Sequence, residues 1–579
     1  MQMNYRAVLF GSCLSVVSSH AQWTNDAYEN TTVRDGIGVT ALRPVMCNGP
    51  AGSTYIAWYE QVDTLYEVRM QRIDAAGFAM WDVEGVIVSP NAAFAILSGW
   101  NPKMFPMGLI IDHDGNAILG FSDKRTGVIT ASFYKLDSAG VSVWDENGIV
   151  AGDSLGVAQQ TVSMDVYDDN SVVATWNSEY GSVYYNKFHS DGETFWQVPL
   201  EIPVVVISQP FVSIGKRPLL PKPIVQQDGG FLVQLLEHES GNEGSAYVSN
   251  YRLKVARINQ NGTFLGLDQF VANNVEHAYM KPAVADGLGG FYIAHRGYWH
   301  DPLFDGKLRL QHYRSDGTTW GANGIIVAPL IGVGSDCEIS LLPNGNGVIV
   351  GANVDIVFIQ GGEENLMPPS HLQVVVQRVD TAGVLQWAEN GTLIADNANC
   401  DFIGLTATDD GSVFTYIQDS LIKATHIGFD GEFLWEPNIG TVCSRSGLKS
   451  NGSTSAVHDG NMVVAWQDDR INSGVYAQRI PIENGPDIPT ATSSVSIDNS
   501  SLSIRPFQNN DQLWLATSNT SSGLGMIRVL DTAGRTLHVQ NAYIASGTNQ
   551  ILVNTHVEGA VIVELSLNGD AKRAMTVVH

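Results

Sequence analysis

Positive charge is scarce in this chain, and the scarcity already excludes partners. Its 579 residues carry 32 Lys and Arg against 59 Asp and Glu, a net charge of −27. A partner built of phosphates, whether nucleic acid or an anionic membrane surface, needs a basic face, so composition argues against both. The acidity itself reads first as solubility. Cysteine is also scarce. Only Cys47, Cys337, Cys400 and Cys443 lie beyond the N-terminal segment, and they lack the paired short spacing of a zinc site. They read as core residues, with room for one bridge among Cys337, Cys400 and Cys443. No apolar run is long enough for a membrane helix. The short run Ala7–Val17, with Arg6 before it and Ser19-His20-Ala21 after it, has the layout of a signal peptide over residues 1–21. A lipoprotein site at Cys13 is disfavoured by the short apolar stretch ahead of it.

Glycine, by contrast, is plentiful, with 58 residues, and much of it recurs in one pattern. The runs are Asp74-Ala-Ala-Gly77…Trp81, Asp137-Ser-Ala-Gly140…Trp144, Asp191-Gly192…Trp196, Asp316-Gly317…Trp320, Asp380-Thr-Ala-Gly383…Trp387 and Asp430-Gly431…Trp435. Each follows a strand-forming segment such as Val374-Val-Val-Gln-Arg-Val379. The tryptophans fall 48 to 67 residues apart, except for one gap of 124, which spans a degenerate unit. Such a period, with several short strands per unit, predicts a β-propeller. Each unit reads as four strands. The first begins near a proline (Pro44, Pro102, Pro223, Pro282) and ends at an Asp-Gly or Asn-Gly turn, which supplies the positive φ of a tight hairpin. The second is almost continuously apolar, as in Val172-Val-Ala-Thr-Trp176 and Met462-Val-Val-Ala-Trp466, which suits a strand buried on both faces.

Counting second strands predicts an all-β, eight-bladed propeller over residues 22–482. The last unit, ending at Ile480, lacks a fourth strand. Asp35-Gly36-Ile-Gly-Val39 resembles Glu84-Gly85-Val-Ile-Val88 and is expected to supply it, closing the ring and removing both open edges. The repeated Trp is expected to pack between blades and the repeated Asp to cap its turn. Asp123-Lys-Arg125 and Asp468-Asp-Arg470 read as turn ion pairs.

Residues 483–498 are rich in Pro, Ser, Thr, Asn and Asp and read as a linker. Residues 499–579 then show alternating short strands, the pattern of a small β-sandwich. The order of a strand, an Asp531-Thr-Ala-Gly534-Arg535 turn, a Gly559-Ala-Val-Ile-Val563 strand, Lys572 and a terminal Val-Val resembles the C-terminal sorting domain of Bacteroidota type IX secretion cargo. The start departs from that pattern: Ile504-Arg-Pro-Phe507 stands where the family has a Tyr-Pro-Asn-Pro-like run. The late strand departs too, with Ala560-Val561 where the family has an aromatic. The resemblance implies export by the type IX secretion machinery, removal of the tail, and release or anchoring at the cell surface.

No Gly-x-Ser-x-Gly elbow, His-Glu-x-x-His pair or phosphate loop is present. The repeats also miss the spacing of the sialidase Asp-box; Ser315-Asp-Gly-Thr-Thr-Trp320 comes nearest. No catalytic, metal or cofactor residues are therefore assigned. Long connections are expected to gather on one side of the units, at Pro90–Lys103, Pro203–Pro221, Glu237–Asn250, His295–Lys307 and Val354–His371. Long loops on a rigid scaffold are where binding sits. The densest set of polar aromatics is His295, Arg296, Tyr298, Trp299, His300 and Asp301, the candidate ligand-binding residues. The expected function is a secreted or surface binding protein for glycan or protein, with a secreted polysaccharide hydrolase as the competing reading.

Overall fold

The computed structural model describes residues 23, 26–93, 107–296 and 307–486 of the main unit and much of 503–578, with internal breaks at 153–155, 180, 210–211, 244–245, 268–270, 274, 276–281, 329–336, 357–358, 361–362, 365–370, 390, 397–399, 510–511, 520–521, 532–534, 546, 554, 556–558 and 568–569. The chain divides into two compact units, Met1–Asn25 with Glu29–Pro486 and Asp26–Tyr28 with Asp487–His579. Among the described residues no helix is long and apolar enough to cross a membrane.

In the first unit, successive antiparallel groups of strands span residues 41–92, 108–151, 159–202, 205–273, 283–328, 337–396, 400–443 and 449–481. Within each group the main strands pair in chain order. The core is correspondingly divided. One cluster joins Tyr59 and Met70 of the first group to Leu119 and Phe121 of the second, and a similar cluster lies at every later junction. The series closes on itself. Val33, Ala465, Val475 and Ala477 of the final sheet share a cluster with Ile56, Trp58 and Ile73 of the first.

The closing strand is Thr31–Arg34, paired antiparallel with Gly474–Pro481 through Thr31↔Ala477 and Thr32↔Tyr476. It is not the expected Asp35–Val39. Gly36 and Gly38 both take positive φ (148° and 83°), and Val39 N–H donates back to the Gly36 carbonyl, so this segment turns out of the ladder. Asp35 instead anchors the turn, accepting from Gly36 N–H and the Tyr476 hydroxyl. Trp23 reaches the same closing cluster, and its N–H donates to the Ala76 carbonyl in the first Asp-Gly turn.

The repeated Asp and Trp build the junctions. Asp74, Asp137 and Asp380 each accept two backbone N–H groups of their own turn through Oδ1. The Trp of one sheet then lies under the turn glycine of the next: a Cβ on Gly140, Gly192, Gly383 or Gly431 would stand 2.8 to 3.1 Å from Trp81, Trp144, Trp320 or Trp387. The indole Nε1 donates into that next turn, Trp81 to Ser138 O, Trp144 to Ser190 O and Trp387 to Phe429 O. A third-strand Gln holds three of these tryptophans in place. Gln311 Oε1 accepts Trp320 N–H at 2.9 Å while its Nε2 donates to Gly321 O, and Gln71 and Gln377 do the same for Trp81 and Trp387. The missing repeat is Asn259-Gln-Asn-Gly262, where Asn259 replaces Asp and Gly262 covers Trp196.

First strands carry a shared irregularity. Their register breaks at Arg43, Thr161, Leu220 and Asn451, all in left-handed backbone (φ 49° to 58°). Polar side chains stitch neighbouring first strands together. Asp165 accepts Val225 N–H and Val166 N–H, Lys222 Nζ donates to Ala283 O, and Ser340 accepts Ala407 N–H.

The second unit has a three-stranded sheet (Ser503–Asn509, Gln512–Asn519, Gly547–Val553) and a four-stranded sheet ordered Thr536–Ile544, Gly523–Asp531, Gly559–Leu567, Asp570–Val578. Leu513, Leu515 and Val553 of one share a core with Ile527, Val529, Val563 and Leu565 of the other.

Candidate functional site

In an antiparallel unit the first-to-second and third-to-fourth connections lie at one end, and the second-to-third and fourth-to-first connections at the other. The first end holds the Asp-Gly turns and tryptophans. Among the described residues, the second end differs most in the 205–273 sheet. There the strands Val212–Val225, Phe231–Glu243 and Ala246–Ile258 run on as a continuous ladder to Val212↔Glu243 and Glu243↔Ala246, and Val205–Gln209 adds a fourth strand. Two expected loops, 203–221 and 237–250, are therefore mostly a projecting four-stranded arm. Pro218 is accommodated because the added strand pairs only with Val212–Lys216, leaving Pro218 outside that ladder, where its carbonyl accepts Asn177 Nδ2 at 3.0 Å.

Register places alternate residues on opposite faces. One face carries all the arm's carboxylates, and near its base they are neutralised. Lys216 Nζ lies 3.2 Å from Glu239, Arg252 Nη1 lies 2.6 Å from Glu239, and Arg252 and Lys254 stand 3.9 Å from Glu237. Burial pushes the Glu239 carboxyl up, but Lys216 and Arg252 outweigh it and hold the group below the usual range. Burial lowers the Lys254 ammonium against the pull of Glu237. The opposite face carries cross-strand rows: Arg217, His238 and Tyr251; then Val206, Gly215, Ser240 and Ser249; then Ser208, Ser213, Asn242 and Tyr247. His238 stacks on Tyr251 with ring centroids 4.2 Å apart, and its Nε2 lies 3.1 Å from Ser249 Oγ. Tyr247 is 69% exposed.

His295 and Arg296 end the strand Phe291–Arg296 and are buried there. Tyr298, Trp299, His300 and Asp301 lie outside the described residues. In the second unit Asp531 accepts Arg535 N–H at 2.8 Å and Arg535 Nε at 2.6 Å, Gly559 opens a strand, and Lys572 pairs with Leu565. Gly534 lies outside the described residues.

Buried carboxylates elsewhere are occupied. Asp123 accepts Arg125 Nη2 at 2.6 Å and Ser89 Oγ at 2.8 Å. Asp468 accepts Arg470 Nη2 at 2.5 Å and Trp466 Nε1 at 3.1 Å, with Lys449 Nζ 3.3 Å away. The Asp165 carboxyl is pushed up by burial, with Val225 N–H, Val166 N–H and Lys222 opposing the shift. Among the described residues no three His, Cys, Asp or Glu side chains converge to hold a metal ion. Cys337 and Cys443 are buried and unbridged, so the bridge allowed for by sequence is not formed. Cys443 instead donates to Asn30 Oδ1 at 3.0 Å.

The sequence matches no family model and no curated protein. Several solved structures are similar at low identity. A protein of unknown function from Dyadobacter fermentans is 8% identical, covering 78% of this chain and 98% of its own, with a TM-score of 0.34. A PL25 ulvan lyase is 11% identical over 79% of this chain and 96% of its own (TM-score 0.40). The BP39L lectin from Burkholderia pseudomallei is 12% identical over 75% and 98% (TM-score 0.39). Likeness at this level carries neither a ligand nor an activity across.

Proposed function

We propose that this chain is a secreted or surface-anchored binding protein: an eight-bladed β-propeller that displays a binding arm, followed by a β-sandwich tail that directs type IX export. The observation that carries it is a division of labour. The repeated tryptophans, aspartates and glutamines are consumed at the junctions, and the buried carboxylates described above are held by cations or backbone N–H groups. The Val205–Ile258 arm, by contrast, stands beyond the repeat and exposes tyrosine. Aromatic and polar surface on a rigid sheet is suited to glycan or protein edges. The sequence between the strands Phe291–Arg296 and Leu308–Tyr313 adds the aromatics Tyr298, Trp299 and His300 as further candidates.

The test is a glycan and peptide array probed with the mature protein, alongside a reducing-end assay on any glycan captured. Capture without cleavage is expected. Replacing Tyr298, Trp299 and His300 together with Ala should weaken capture and leave melting unchanged. Turnover of a captured polysaccharide, abolished by a single carboxylate substitution, would establish the hydrolase instead.

A further inference from the structure

We infer that the Arg217–His238–Tyr251 face of the arm binds an anionic polysaccharide; the inference rests on the binding reading above. Three observations carry it. The first is charge. In a chain of net −27, the face carrying Arg217, His238 and Tyr251 and, farther out, Ser208, Ser213, Asn242, Tyr247 and Ser249 contains no carboxylate; it is half-buried at Gly215, His238, Ser240 and Tyr251 and exposed beyond them, while Glu237, Glu239 and Glu243 all fall on the reverse face. The second is an uncommitted cation. Arg217 is exposed and forms no ion pair with any described carboxylate, although three basic side chains on the reverse face are bound to Glu237 and Glu239. Its stem is fixed against Gly181, where a Cβ would lie 3.0 Å from Arg217 Cβ and Cδ, so the guanidinium is presented at the base of the face. The third is shape. Gly215 and the serines keep the centre flat and open; a Cβ on Gly215 would meet nothing nearer than Ser240 O at 3.9 Å. The Tyr251–His238 stack and Tyr247 flank that floor.

A flat floor lined by hydroxyls and an amide can exchange hydrogen bonds with sugar hydroxyls, and tyrosine rings supply apolar faces for the ring carbons. A guanidinium beside them selects a planar or tetrahedral oxyanion by paired N–H donors. The ligand chemistry is therefore a sugar chain bearing carboxylate or sulfate. A neutral chain leaves Arg217 unused, and a protein of this net charge repels polyanions everywhere except at such a face.

The experiment measures binding of the mature full-length protein to polygalacturonate, dextran sulfate and neutral dextran at 150 mM salt, with three variants. Gly215→Phe fills the floor at a site with open space. Arg217→Glu inverts the cation. Glu243→Gln alters the reverse face and serves as control. Binding to one or both polyanions, weakened by about tenfold or more in G215F and R217E and unchanged in E243Q, is expected, since a charged hydrogen bond and its loss are of that size. Preference between the two polyanions distinguishes uronate from sulfate. Equal binding of neutral dextran overturns the anionic ligand. Polyanion binding that G215F and R217E leave intact, with all proteins melting alike, overturns the site while the binding reading stands. Capture of none of the three overturns the inference, and only an empty array overturns the binding reading as well.

Discussion

Deleting residues 22–35 should unfold the first unit's closure, and the size of the effect can be worked out. The deletion removes Trp23 and Val33 from the closing cluster, where they are 7% and 4% exposed. Loss of a core Trp costs about 3–5 kcal/mol, and loss of a buried Val about 1.5–3 kcal/mol. It also removes Arg34, whose Nη2 and Nε bind Glu60 at 2.6 and 2.8 Å. Glu60 keeps Trp58 Nε1 at 3.1 Å and Arg69 at 3.6 Å, so this loss sits at the low end for a broken buried pair, about 3 kcal/mol. Together these reach roughly 8–11 kcal/mol, comparable with the whole stability of a typical domain. The exposed Gly474–Pro481 edge adds an aggregation hazard. Differential scanning calorimetry of residues 22–579 and of the deletion should therefore show loss of the cooperative transition or precipitation in the deletion. A deletion that melts within about 2 °C of the parent would refute the closure.

The remaining predictions are smaller. Burial pushes the Glu60 carboxyl up, but its bonds to Arg34 and Trp58 win and depress it; such a group stabilises the fold above the unfolded carboxylate value and loses that contribution as pH falls through the folded one. The melting-temperature gap between the parent and Arg34→Met should therefore be full at pH 7 and shrink below about pH 4.3; a gap that widens on acidification would contradict this sign. Gly431→Val forces a β-branched residue to φ 88° with its Cβ 3.1 Å from Trp387, and should cost about 2–4 kcal/mol in urea unfolding. Gly127→Ala, at φ 86° with open space, should lose only the backbone part, so equal losses would show that the Trp contact is irrelevant. Removing residues 499–579 should leave a folded protein that accumulates in the periplasm, and fusing 485–579 to a periplasmic reporter should carry it to the surface of a type IX host. Normal release of the tailless protein would make the tail an ordinary accessory domain.

The repeat was legible because turn chemistry is local. Asp-x-x-Gly followed by Trp names a cap, a left-handed residue and a large packing ring, and the described turns use them so. Legibility failed where identity and geometry part. Asn259 caps as well as Asp, so a repeat with Asn and no following Trp read only as a degenerate unit in the 124-residue gap, its turn unrecognised. Arg43, Thr161 and Leu220 adopt left-handed backbone with no glycine to announce it, since the surrounding ladder imposes the bulge. The arm read as loop because Pro203, Pro210, Pro218, Pro221 and Pro223 crowd its start, and a proline on the side of a strand left without a ladder cannot be told from a loop proline by sequence. Its binding face was missed for the same reason. Once 236–242 and 247–253 are strands, the alternation Leu236-His238-Ser240-Asn242 and Tyr247-Ser249-Tyr251-Leu253 sets polar and aromatic groups side by side. At the closure, the resemblance between Asp35-Gly36 and Glu84-Gly85 located the segment but not its register, because the strand precedes the glycine in one and follows it in the other.

The tryptophan junctions have a topological consequence. In a linear stack of repeats, each end has one neighbour fewer, so the ends fray first and need polar caps. Here the last sheet borrows Thr31–Arg34 and Trp23 from the chain start, so its junction with the first sheet is a junction like the others. A stack joined in a circle has no first or last member. To open it anywhere, one junction must break with no terminal repeat to begin from, and once broken the circle becomes an ordinary stack with two weak ends. Local opening is thereby converted into a single barrier. A repeat body closed in this way has no end from which to unravel.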